Sequence, residues 1–189
     1  SQIYLTDRNS NRVVVYSNNG NSATKLFEIT SNGASTINSP VSVMFSQDGA
    51  KIYVANLGLS PLPATDKVAQ LTPNGVSTGP DLTGGPLQGR SALAFDPSGR
   101  LLTTNFNLYG SDGSVLRFNS GTNQFDTFIG PSASLTGAAA LLVQGNDLYV
   151  ASLGGTNISK YDATTGAFQW IIPPSATFLL PGSLLLSAD

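Results

Sequence analysis

Four segments of this chain read alike and return at a nearly constant interval. They are Ile3-Tyr4-Leu5-Thr6-Asp7, Ile52-Tyr53-Val54-Ala55-Asn56, Leu101-Leu102-Thr103-Thr104-Asn105 and Leu148-Tyr149-Val150-Ala151-Ser152, with starts 49, 49 and 47 residues apart. Each is apolar and β-prone and ends in a short polar residue. A second run follows each after a loop: Val13-Val14-Val15-Tyr16, Val68-Ala69-Gln70-Leu71, Val115-Leu116-Arg117-Phe118 and Ile158-Ser159-Lys160-Tyr161. A β-branched residue, two variable ones and then an aromatic or Leu is the pattern of a strand with a buried face. A fixed period of this length constrains the fold more than any other property of the chain, because each unit must bury its face against its neighbours.

The remaining strands of the unit can also be read. After the second run comes a turn, Asn18-Asn19-Gly20, Pro73-Asn74-Gly75, Ser120-Gly121-Thr122 or Thr164-Thr165-Gly166, where Asn and Gly supply the positive φ of a tight hairpin. An outer strand follows in three units, at Lys25–Ile29, Gln124–Phe128 and Ala167–Ile171, and is degraded to Val76–Gly79 in the second unit. An inner strand precedes three repeat cores, at Pro40–Phe45, Ser91–Phe95 and Ala139–Val143, each running into a turn. No helical pattern with caps appears. Four antiparallel strands in each unit of this length are the signature of β-propeller blades. The expected organisation is one all-β domain over 1–189, with four blades of four strands: 181–189 plus 1–36, 37–86, 87–134 and 135–180.

The first blade needs its inner strand from the far end of the chain. Pro181–Asp189 reads as an inner strand, and joined to Ser1 it reproduces the phase of the internal repeats, with a wrap-around spacing of 44 residues. Pairing of 181–189 with 1–8 would close the ring and remove two raw sheet edges. The alternative is a slice of a propeller with six to eight blades.

Composition narrows the function. Of 189 residues only 11% are charged, 40% are hydrophobic and the net charge is −2. Nine basic residues scattered among eleven acidic ones leave no patch to capture nucleic acid. There is no His and no Cys, which removes imidazole bases, thiol nucleophiles and ordinary zinc sites. No run of eighteen apolar residues is present, so no membrane-spanning helix is expected. The Ser-, Thr-, Asn- and Gly-rich, Lys-poor character points to a secreted or periplasmic bacterial protein.

The segments ALAFDPSGRLLTTN, VMFSQDGAKIYVAN and DLYVASLG resemble the repeats of the NHL, YVTN-type and SMP-30/gluconolactonase-like propellers, and the resemblance extends over the whole chain. It implies the propeller fold, in a superfamily that includes enzymes, binding modules and scaffolds. SMP-30-like enzymes hold a catalytic divalent metal through a Glu plus Asn and Asp at the starts of inner strands. Here those starts carry Val41, Ser91, Ala139 and Gly182, and Glu28, the chain's only Glu, falls in an outer strand. Streptogramin-lyase-like propellers use His, which this chain lacks. No catalytic residue is assigned.

The candidate ligand-binding residues are the equivalent strand ends Asp7, Asn56, Asn105 and Ser152, one per blade on the face where the blade loops converge. Oxygen ligands so placed suit a polar ligand or a weakly held Ca²⁺, with Asp7 the sole carboxylate; no other cofactor is expected. The competing explanation is that they end strands and hydrogen-bond the following turn. Phe106 and Tyr109, set beside Asn and Asp, add aromatic faces suited to sugar rings, or else plug the blade edge. Three readings follow. The first is a non-catalytic binding or scaffold module with a protein or carbohydrate partner. The second is an SMP-30/lactonase- or lyase-like enzyme. The third is a subunit that homo-oligomerises by exchanging its last strand.

Overall fold

The computed structural model describes residues 1–57, 66–85, 89, 92–105, 113–132, 135–172 and 183–185. Among them the chain is all-β, with four antiparallel sheets of three, three, four and four strands and no helix. It forms two compact units, 1–83 and 84–189, each holding two sheets.

The first unit contains β1 (Gln2–Asp7), β2 (Arg12–Asn18) and β3 (Ala23–Ile29) in one sheet, and β4 (Pro40–Phe45), β5 (Ile52–Asn56) and β6 (Val68–Leu71) in the other. Both sheets run in sequence order, the up-and-down order of a propeller blade. The register follows the apolar alternation. Thr6, Val13 and Ile29 lie in one cross-strand row, and Tyr4, Val15 and Phe27 lie in the next. That face packs on Ile52, Val54, Ala69 and Leu71 of the second sheet to form one core. The degraded outer strand of the second repeat, Val76–Gly79, survives only as an isolated bridge from Ser77 to Leu71, and a further bridge joins Leu82 to Val68.

The second unit contains β7 (Leu93–Phe95), β8 (Leu101–Asn105), β9 (Ser114–Asn119) and β10 (Gln124–Ile129), then β11 (Ala138–Gln144), β12 (Asp147–Ser152), β13 (Asn157–Asp162) and β14 (Phe168–Ile172). Its core joins Leu102, Val115 and Ile129 of the third sheet to Leu148, Val150 and Tyr161 of the fourth, with Leu135 and Ala138 between. Phe125 is buried, whereas Phe168 and Trp170 stay 53% and 40% exposed. β14 is an edge strand, and Trp170 lies edge-on to Tyr149 beside the Lys160 ammonium.

The turns obey the expected chemistry. Gly20, Gly75 and Gly166 carry positive φ; in the third hairpin it is Asn123, and not Gly121, that takes the left-handed position. In the inner hairpins Asp48 and Asp96 bind the backbone N–H groups two residues on, and Asp96 also that of Arg100.

The expected closing strand is not formed by hydrogen bonds among the described residues. The first sheet has three strands with β1 at its edge, and Ser183–Leu185 carry no strand. Leu185 is 93% exposed, so it buries none of the apolar surface that would fix a register. The rest of 181–189 lies outside the described residues.

Candidate functional site

Each of the four equivalent polar residues ends its strand, as their sequence positions require: Asp7 ends β1, Asn56 ends β5, Asn105 ends β8 and Ser152 ends β12. Asn56, Asn105 and Ser152 are buried, and Asp7 is partly so.

In the first unit both residues are tied into the fold. Asp7 Oδ2 accepts from Arg12 Nε at 2.8 Å, and Oδ1 accepts from the Ser10 N–H at 3.2 Å. Arg12 and Ser10 hold the Asp7 carboxyl below its ordinary range. Arg12 also binds Glu28 Oε1 at 2.7 Å, and Lys25 binds the same oxygen. The charges of this sheet thus form one ladder across β1, β2 and β3. A guanidinium seated on Asp7 opposes a second cation there. Asn56 closes the end of its sheet. Its Oδ1 accepts from the Asn38 N–H at 2.9 Å, and its Nδ2 donates to the Thr36 carbonyl at 2.9 Å and the Lys67 carbonyl at 3.3 Å. Beside it the buried Asp81 carboxylate accepts twice from the Thr36 N–H, at 3.0 and 3.1 Å, with the Lys67 ammonium 3.5 Å away.

In the second unit the strand ends gather neutral oxygens. Asn105 stands opposite Ser114 in the β8–β9 ladder, and Ser152 stands opposite Asn157 in the β12–β13 ladder. The segment 135–138 joins them. The Gly113 N–H donates to the Leu135 carbonyl at 3.0 Å, and the Gly154 N–H donates to the Thr136 carbonyl at 3.0 Å. A Cβ placed on Gly155 would meet Asn157 Nδ2 at 2.8 Å and Thr136 Oγ1 at 3.0 Å, so these side chains crowd one spot. Ser114 Oγ, Thr136 Oγ1 and Asn157 Oδ1 are buried without a hydrogen-bond partner among the described residues. Unsatisfied buried oxygens are costly and call for an explanation. The sequence reading missed all three. The hairpin register could have found Ser114 and Asn157, as partners of Asn105 and Ser152. Thr136 lies in a connection that no pattern marks.

Phe106, Tyr109, Ser91 and Gly182 lie outside the described residues. Val41 and Ala139 offer no metal-binding side chain, Glu28 is spent on Arg12 and Lys25, and no group of three or more Asp or Glu capable of holding a metal occurs among the described residues. The described residues therefore do not fit the divalent metal of SMP-30-like enzymes.

No protein-family model matches the chain, and no curated protein is significantly similar to it in sequence. Solved structures do match. One is a provisionally named 6-phosphogluconolactonase from Bacteroides uniformis, at 16% identity and a TM-score of 0.65, covering 92% of this chain and 52% of that one. Another is a protein of unknown function from Desulfotomaculum acetoxidans, at 12% identity and a TM-score of 0.65, covering 99% of this chain and 56% of that one. The likeness shows the fold, that of propeller-type lactonases. The chain spans about half the length of these two proteins. Some 475 solved chains match, so the architecture is too widely shared to name an activity.

Proposed function

We propose that this chain is a non-catalytic β-propeller module that binds a polar ligand at the strand ends of its second unit. The observation that supports the reading is that three buried neutral oxygens lack a partner among the described residues: Ser114 Oγ opposite Asn105, Asn157 Oδ1 opposite Ser152, and Thr136 Oγ1 close to Asn157. Hydroxyl and amide oxygens without a carboxylate or base can orient a ligand but cannot move a proton at neutral pH. They suit the hydroxyl groups of a carbohydrate-like ligand, and they would hold Ca²⁺ only weakly, since affinity rises with ligand charge.

The test is a thermal melt of the protein with Ca²⁺, with EDTA and with a panel of neutral sugars, repeated for Thr136→Val. The reading predicts stabilisation by a sugar, or a small one by millimolar Ca²⁺, that is lost in Thr136→Val. Melts indifferent to every additive would refute it.

The second reading is a lactonase-like enzyme. It draws on the name of the Bacteroides uniformis neighbour and on the shared fold alone.

A further inference from the structure

The opposite end of β9 holds a second arrangement of polar groups, one that the strand-end cluster does not involve. A cleft of about 220 Å³ opens there, lined by Arg100, Arg117, Asn119, Asp126, Thr127 and Phe128 among others. Its placement follows from the register. Arg117 stands opposite Leu102 of β8 and opposite Asp126 of β10, and Arg100 precedes Leu102 by two residues, so it belongs to the same face of the sheet.

Both guanidinium groups are fixed, and neither is used up. Arg100 Nε is held by Asp96 Oδ2 at 2.8 Å, which leaves both of its Nη groups without a hydrogen-bond partner among the described residues. Arg117 stacks on the Phe128 ring at 4.1 Å and donates through Nη1 to the Thr164 carbonyl at 3.1 Å. Its Nε and Nη2 have no partner among the described residues. No ion pair joins Asp126 to it within 4.0 Å, and Asp126 Oδ2 accepts instead from Asn119 Nδ2 at 2.8 Å. Burial and the nearby Arg100 disfavour the Arg117 charge, and Asp96 and Asp126 offset this in part. Two positioned guanidinium groups with free N–H donors, facing one small cleft, form a fork for oxyanions.

We propose that the cleft between Arg100 and Arg117 is a binding site for a small oxyanion, a phosphate or carboxylate group bridging the two guanidinium groups. The aromatic ring beneath Arg117 and the tie from Asp96 to Arg100 hold the donors in place before the anion arrives, so little side-chain freedom is lost on binding. Asp126 sets a limit: its carboxylate faces the same cleft and repels an anion, which favours a small group of low charge. The site does not depend on the strand-end cluster.

The test is an NMR titration of the whole chain with inorganic phosphate and, separately, with acetate, at constant ionic strength. Saturable shifts centred on Asn119, Ser120 and Thr127 are expected, with a dissociation constant on the order of millimolar. The tighter of the two probes assigns the ligand as a phosphate or a carboxylate. Arg117→Met and Arg100→Gln should each weaken binding about tenfold. Asp126→Asn, which keeps an acceptor for Asn119, should tighten it. Shifts that stay linear up to about 50 mM of both probes, in a range where so weak a site would already be filling, would overturn the proposal. So would affinities unchanged in a folded Arg100→Gln variant.

Discussion

Besides a 3.5 Å contact to the Val54 carbonyl of its own strand, the Asn56 side chain takes its hydrogen-bond partners from two segments, 36–38 and Lys67, and it is 1% exposed. Truncating it leaves the Asn38 N–H and the Thr36 carbonyl facing an apolar methyl group. An unsatisfied buried group costs about 1–3 kcal/mol. Asn56→Ala should therefore destabilise the protein by about 2–4 kcal/mol in denaturant titration, the sum of two such groups partly relieved by water. Asp7→Asn should barely move the midpoint, because its ion pair is solvent-facing and such pairs contribute little. Equal effects would mean that the two positions do the same work. The sequence shows that both residues end strands. It does not show that Asn56 reaches 18 and 20 positions back while Asp7 bonds only within its own hairpin. That difference arises from how the connection before β4 folds over the sheet, and connections carry no periodicity to read.

The strands themselves were legible because each has one buried face and a turn with defined chemistry. β4, β5, β6 and β8 occupy the expected residues, and the other expected strands are found within two residues of either end, apart from Val76–Gly79, which leaves only an isolated bridge at Ser77, and the closing strand. The exceptions have physical causes. The closing strand was inferred from phase alone, and Ser183–Leu185 form no ladder. Phe168 and Trp170 follow the alternation of a packed strand, but β14 lies at an edge, so alternation there does not mean burial. What the sequence cannot show is space between elements. Gly113, just before β9, is a case: a Cβ there would lie 2.6 Å from the Ala138 nitrogen and 2.8 Å from that of Gly137. Backbone atoms cannot yield as a side chain does. Gly113→Ala should force the start of β9 away from β11 and cost about 2 kcal/mol or more, as overpacking does. Gly130→Ala, with nothing within 4 Å of its Cβ position, should stay within about 0.5 kcal/mol. The two unfolding midpoints measured side by side check this; equal midpoints would contradict the close approach.

At the scale of the whole chain, two units each carry two blade-like sheets and a core of their own. The likeness to propeller-type lactonases fixes the architecture and leaves the chemistry to the residues. Those residues lack His and Cys, and the one carboxylate among the four equivalent strand ends, Asp7, is engaged by an arginine. The central proposal is that this fold serves binding here and not catalysis. Its most direct test is a lactone hydrolysis assay on the purified protein, with gluconolactone and 6-phosphogluconolactone as substrates and Ca²⁺ or Mg²⁺ supplied. The account predicts rates equal to those of the protein-free solution. Saturable turnover that disappears in Asp7→Ala would contradict it.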